Sequence, residues 1–206
     1  MTGPVAVVVL AGGDGRRMGG AKPLRPFGQT TLVGQAVARA RRWSPIVAVA
    51  VRARDQIAGD VDAPVLLDDP SIPGPAAGLA SAFAFAAGVN APRLLTLPCD
   101  APRLPDDLLE RLDAALGDAG AAVASSLGWL HPTCALWRTD CVGRLPAYLA
   151  TGASLRGFAA DCGMVRVDWD PDPEGDPFAN ANTPEELAAL QPSADPGRRA
   201  PGDDVS

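Results

Sequence analysis

The first apolar stretch, Val5 to Leu10, is mostly β-branched and shows no polar alternation. That pattern predicts a strand buried on both faces, as in a parallel sheet covered by helices. Thr30 to Arg42 then places Leu32, Val33, Ala36, Val37 and Ala40 at helical spacing, the signature of a helix with one buried face. Ile46 to Val51 predicts a second strand, and Val65 to Leu67 a short third that ends at Asp68-Asp69. The prolines and glycine of Pro70 to Pro75 require a loop. Ala76 to Ala87 follows as a small-residue helix able to pack closely on a sheet, and Leu94 to Leu97 as a strand closed by Pro98-Cys99-Asp100. Leu108 to Leu116 predicts a helix and Ala121 to Ser125 a strand. Strands alternating with helices at this spacing predict an α/β fold, three-layer α/β/α, with a mainly parallel, Rossmann-like sheet and right-handed crossovers.

The second half is less regular. Cys134 to Trp137 predicts a strand, Asp140 to Leu149 a helix, Ser154 to Ala160 a helix capped by Ser154, and Met164 to Trp169 a last strand. Pro171 to Pro177 is turn-rich. Thr183-Pro184-Glu185-Glu186 is a helix start, with Thr as N-cap, Pro in the first turn and Glu closing a capping box. From Gln191 the chain becomes Pro, Gly, Ser and charge, so residues 1–190 are expected to form one domain and 191–206 a disordered tail.

Composition narrows the interior and the partners. Hydrophobic residues make up 47% of the 206 but aromatics only 5%, so the core must be built from Ala, Val and Leu. A net charge of −6 argues against a general affinity for nucleic acid or anionic membrane. No apolar run approaches the ~20 residues of a membrane span, and the N-terminus lacks a secretory pattern, so a cytoplasmic protein is expected. Four cysteines without a C-x-x-C pair, and a single histidine, leave no structural zinc site; the cysteines are expected to be small core residues. Trp43, Trp129, Trp137 and Trp169 are read as core or rim packing.

The chemistry concentrates after the first strand. Ala11, Gly12 and Gly13 let the backbone approach a ligand, and Arg16, Arg17 and Lys22 follow among Gly15, Gly19 and Gly20. Exposed backbone N–H groups and three cations suit a polyphosphate, against the alternative of a solvated basic turn. Neither a P-loop nor a dinucleotide fingerprint fits: Gly20 is followed by Ala21-Lys22-Pro23, and Met18 stands where the third glycine is required. In an open α/β sheet ligands gather at the carboxyl ends of strands, where Asp68, Asp69 and Asp100 fall. Asp100 there suits Mg²⁺, which takes one or two carboxylates plus phosphate oxygens, whereas Asp69 before Pro70 is equally a turn residue.

Leu10-Ala11-Gly12-Gly13, then Arg16-Arg17-Met18-Gly19-Gly20 and Lys22, resembles the signature of nucleotidyltransferases with a glycosyltransferase-A-like fold, the nucleotide-diphospho-sugar transferase type. Pro73-Gly74-Pro75 with Gly78, Pro98-Cys99-Asp100, His131-Pro132-Thr133 and above all Phe178-Ala179-Asn180-Ala181-Asn182-Thr183-Pro184-Glu185-Glu186 narrow the resemblance to the molybdenum cofactor guanylyltransferases. The resemblance implies transfer of GMP from GTP to the molybdopterin cofactor with release of pyrophosphate, Mg²⁺-dependent. It also implies that Leu10, Ala11, Gly12 and Gly13 hold guanine and ribose, that Arg17 and Lys22 hold the phosphates, and that Asp69 lines the nucleotide pocket. Asp100 would bind the metal, and Arg17, Lys22 and Asp100 would carry catalysis. Arg156, Asn180 and Asn182 would receive the pterin, and molybdoenzymes or their chaperones would take the product. On residue chemistry alone, Arg156 is equally a surface residue, the two asparagines equally shape the turn before Thr183, and His131 is a supporting or core residue. Where relatives often carry Asn at the end of the second strand, this chain has Ala50 and Val51 with Arg52 next, and the short loop between Gly20 and Lys22 lacks the acidic residue common before this lysine. Alternatives are a cytidylyltransferase of molybdopterin, a sugar-phosphate nucleotidyltransferase and a non-catalytic pterin carrier.

Overall fold

The computed structural model describes residues 3–13, 22–57, 61–152 and 154–191. Seven strands form one sheet in the order β5-β4-β1-β6-β8-β7-β9: β1 Val5–Leu10, β4 Val47–Val51, β5 Val65–Leu67, β6 Arg93–Pro98, β7 Ala121–Ser126, β8 Trp129–Arg138 and β9 Met164–Trp169. All neighbours run parallel except β8, which is antiparallel to both β6 and β7. Successive residues of β1 feed opposite faces, as the side-chain period of two demands. Val5, Val7 and Val9 pack with α1 (Leu32–Trp43) and α3 (Leu108–Leu116), while Ala6 and Val8 pack with α2 (Ala76–Gly88) and, further along, α4 (Leu145–Leu149) and α5 (Leu155–Asp161). The result is the three-layer α/β/α arrangement.

The layer on the α2 side is thin where the sheet offers Ala6, Ala48 and Ala50, and filled at its other half by Phe83, Trp137 and Phe158. Trp137 is fully buried, and its indole N–H donates to Thr96 Oγ1 at 3.0 Å, so the core gains a large ring without an orphaned donor. Trp137→Ala is expected to cost about 3–5 kcal/mol, read as the shift in urea midpoint at constant slope.

A small hairpin, β2 (Pro26–Phe27) paired with β3 (Thr30–Thr31), lies beside the main sheet and turns at Gly28, whose φ of 58° favours glycine. The last helix, α6 (Pro184–Ala189), docks on it through Phe27, Leu32, Ala181 and Leu187. Gln191 closes the contact, its amide accepting from Gly28 N at 3.0 Å and donating to Pro26 O at 3.2 Å. Gln191, the first residue of the expected tail, is thus part of the fold, and the rest of that stretch, 192–206, lies outside the described residues. The docking matters for the site, because it brings Asn182 back beside Lys22.

Three expectations need correction. β8 begins five residues before the predicted Cys134, because its first half, Trp129 to Thr133, is only partly buried and carries no continuous apolar run. Its register against β7 shifts between Val123, opposite Ala135, and Ala124, opposite His131. Pro132 sits in that bulge, where a missing N–H costs no ladder bond. The predicted helix Asp140 to Leu149 divides into a 3₁₀ turn, Thr139–Arg144, and α4, with Pro146 in the first turn of α4. Trp129 is not packed: it is 74% exposed at the β7–β8 turn, beside Leu127 and Gly128, both with positive φ.

Candidate active site

β1 is the point at which the sheet's order reverses. Chain leaving β1 passes over the α1 face to β4, whereas β6, its other neighbour, is reached through α2 on the opposite face. Loops leaving such a pair diverge and open a crevice at the carboxyl ends. Here the crevice is a cleft of about 610 Å³ lined by Leu10 to Gly13, Lys22, Pro23, Arg52, Asp68, Gly74, Pro75, Gly78, Pro98 to Asp100, Thr133 and Asn182. Ladder bonds continue past the strand ends, Ala11 N to Ala50 O at 2.8 Å and Cys99 N to Leu10 O at 3.2 Å, so Gly12 and Asp100 are set on a rigid rim. Gly12 must be small: a Cβ there would lie 2.7 Å from Asp68 Oδ2 and 3.3 Å from the Arg52 backbone N.

The polar centre of the cleft joins residues far apart in the chain. Lys22 Nζ donates to Asp100 Oδ2 in an ion pair and to Asn182 Oδ1 at 2.9 Å. The pair is largely desolvated, with side-chain exposures of 11% for Lys22 and 20% for Asp100. Asn182 is held in turn by the start of α6. Its N–H donates to Glu186 Oε2 at 2.7 Å, and Thr183 and Glu186 complete a reciprocal capping box. Ala181 N donates to Asp100 O at 2.8 Å, which ties the same segment to the end of β6.

The remaining predicted residues divide. Leu10, Ala11, Gly12 and Gly13 line the cleft, whereas Arg17 lies outside the described residues. Asp69 does not line it: the carboxylate is exposed and accepts from Ser71 N at 2.9 Å and Ser71 Oγ at 2.6 Å, bonds that hold it below the usual carboxylate range. The Asp-Pro turn consumes Asp69, and Asp68 takes the cleft wall instead. Burial raises the Asp68 carboxyl above its ordinary range, opposed by the Ser81 hydroxyl and by Arg52. Arg156, on α5, and Asn180 are both exposed and neither lines the cleft; of the three residues assigned to the pterin only Asn182 does. Arg52 and Thr133 were missed as site residues. Arg52 is the first residue after a fully buried strand, so the strand-end rule applied to Asp100 would also have found it.

Cys99 forms part of the cleft wall as a neutral thiol, its pKa pushed up to about 12 by burial and by the neighbouring Asp100 charge. Iodoacetamide at about pH 8 should therefore leave Cys99 unmodified in the folded protein and alkylate it in urea; peptide mapping that found Cys99 labelled in the native state would contradict the assignment. No group of three or more His, Cys, Asp or Glu side chains able to hold a metal occurs among the described residues. Mg²⁺ ordinarily takes one or two protein carboxylates together with phosphate oxygens, and Asp68 and Asp100 are the carboxylates this cleft offers. Among the described residues no helix is long and apolar enough to cross a membrane.

Residues 7–178 match the family model of the MobA-like NTP transferase domain. A molybdenum cofactor guanylyltransferase of Rhodobacter capsulatus is 42% identical over 194 residues, covering 91% of this chain and 95% of that protein. Molybdopterin-guanine dinucleotide biosynthesis protein A from Archaeoglobus fulgidus superposes with a TM-score of 0.71 at 19% identity, over 89% of this chain and 95% of that one. CMP:2-keto-3-deoxy-manno-octonic acid synthetase, solved with CTP, superposes at 0.69 with 12% identity, over 90% of this chain and 95% of that one. At these identities the two structures are likenesses of fold alone.

Proposed function

The chain belongs to the molybdenum cofactor guanylyltransferase family of MobA-like NTP transferases, and from that premise we propose that it transfers GMP from GTP to the phosphate of molybdopterin, releasing pyrophosphate. The observation that carries the reading is the convergence of Lys22, Asp100 and Asn182 beside the glycine turn at the β1–β6 crevice. A phosphate oxygen of the acceptor attacks the α-phosphorus, and the bond to the bridging oxygen of pyrophosphate breaks. The attacking oxygen is already anionic near neutral pH, so no general base is needed. That suits a cleft whose lining holds no histidine and whose one cysteine is protonated. The protein's task is to position two polyanions and to neutralise charge as it shifts onto the leaving group.

The glycine turn takes the nucleoside, with the backbone of Ala11 to Gly13 against base and ribose. Lys22 takes the phosphates. Asp100 would hold Mg²⁺, which would supply positive charge against the charge that develops on the phosphates. Lys22 and Asp100 hold each other in an ion pair, and each would find a second partner on binding: a phosphate for the ammonium, the cation for the carboxylate. The ion pair keeps a largely buried lysine and aspartate from facing the cleft unpaired before substrate arrives. We place the reaction in the cytoplasm, where buried, unbridged thiols such as the four here are stable, and propose molybdoenzymes or their chaperones as recipients.

Incubating the purified protein with Mg²⁺, molybdopterin and each nucleoside triphosphate in turn tests the proposal. The guanine dinucleotide and pyrophosphate are expected with GTP. A cytosine dinucleotide instead would assign the chain to the cytidylyl alternative, and no dinucleotide with any donor would leave the carrier reading.

A further inference from the structure

The chain's single histidine lies outside the cleft lining but inside a closed polar cluster. His131 Nε2 is 2.7 Å from Ser126 Oγ, and Ser126 Oγ donates at 2.7 Å to Asp176 Oδ1, which also accepts from Phe178 N at 3.0 Å. With the serine proton directed to the carboxylate, Ser126 must accept from His131, which places the imidazole proton on Nε2. Burial keeps the imidazole pKa below its ordinary value, with Asp176 opposing, so the ring is neutral in this arrangement. Its face lies on Phe178, ring centres 4.7 Å apart and 12° from parallel, and Phe178 meets Trp169 edge-on at 5.3 Å. Ser126 is 1% exposed and Phe178 2%, so both the bridge and the stack are shielded from water.

Three residues after Phe178 the same segment reaches the cleft. Ala181, fully buried, donates its N–H to Asp100 O, and Asn182 accepts from the Lys22 ammonium. Residues 176–182 are thus fastened at one end to the turn end of the β7–β8 hairpin and at the other to the Lys22–Asp100 pair. Between the fastenings only Ala179 and the exposed Asn180 intervene, too little chain for slack at one end not to reach the other.

We propose that His131, through Ser126 and Phe178, is a positioning residue for the transfer reaction: it holds Asn182 where it aims Lys22 at the triphosphate. The assignment rests on the guanylyl transfer proposed above, and it differs from a plain core role in predicting that the effect passes through Asn182. His131→Leu should lower kcat/KM by about tenfold, and His131→Gln, which keeps an N–H near Ser126, should recover much of the loss. In an Asn182→Ala background the same His131→Leu change should cost less than about twofold, because its route to Lys22 is already cut. Ser126→Ala serves as the second entry to the cycle should His131→Leu fold poorly. Hydrogen exchange at the Ala181 amide reads the lock without turnover: it should rise in His131→Leu while the α1 amides stay protected. Equal costs of His131→Leu with and without Asn182, or unchanged Ala181 exchange, would overturn the proposal. If wild-type protein failed to transfer GMP, the functional reading would fall while the exchange experiment still decided the positioning one.

Discussion

Asp100→Asn is expected to lower turnover by about 10³-fold while tightening the binding of GTP in the absence of Mg²⁺. Both signs follow from one geometry. Asp100 closes β6 at the cleft, and its carboxylate is engaged by the Lys22 ammonium, with both side chains mostly buried. The amide is nearly isosteric and keeps the backbone bond from Ala181 N to Asp100 O, so the rim should stay in place. What disappears is the charge that would hold the cation, and with it the neutralisation of the leaving pyrophosphate. Lys22 loses its anionic partner at the same time and becomes free to seek a phosphate, which raises metal-free affinity for the triphosphate. Turnover and GTP titration with and without Mg²⁺ separate the two effects. A variant with unimpaired turnover would remove Asp100 from the metal role.

Lys22→Met should act in the opposite direction on binding. Methionine has similar length and fills the buried slot, so the loss is chiefly that of the ammonium. kcat/KM for GTP is expected to fall by about 10²–10³-fold, with metal-free binding weakened rather than strengthened. The variant also leaves the Asp100 carboxylate without its cation and Asn182 Oδ1 without its donor. At 20% side-chain exposure for Asp100, the folding cost should be modest, about 1–3 kcal/mol by denaturant melt. Lys22→Arg should not restore activity, since the wider guanidinium fork does not fit a position held by a carboxylate and an amide at once. Retention of the wild-type KM in Lys22→Met would show that the lysine does not meet the phosphates.

Much of this arrangement was legible in the residues. Val5–Leu10 is buried on both faces and so carries an unbroken apolar run that only a central strand tolerates. The capping box at Thr183 is local chemistry, and it appears in the structure as the residues dictate. Elements governed by distant partners were not legible. Trp129 to Thr133 reads as irregular because β8 is bulged at Pro132 and half-solvated, although Trp129 to His131 pair with β7. Asp68 and Asp69 are adjacent identical residues at a strand end. Which of them faces the cleft is decided by Ser71 taking one carboxylate, and no periodicity reports that. The contact between Lys22 and Asn182 spans 160 positions, and it exists because α6 docks on a hairpin too short to leave a pattern.

The exchange of partners at Lys22 and Asp100 is the centre of the account, and a crystal structure with a non-hydrolysable GTP analogue and Mg²⁺ tests it most directly. Lys22 Nζ is expected within about 3 Å of a phosphate oxygen, Asp100 on the cation, and Asn182 still in place beside the lysine. Nucleotide bound with the Lys22–Asp100 ion pair intact, or seated away from the glycine turn, would contradict it.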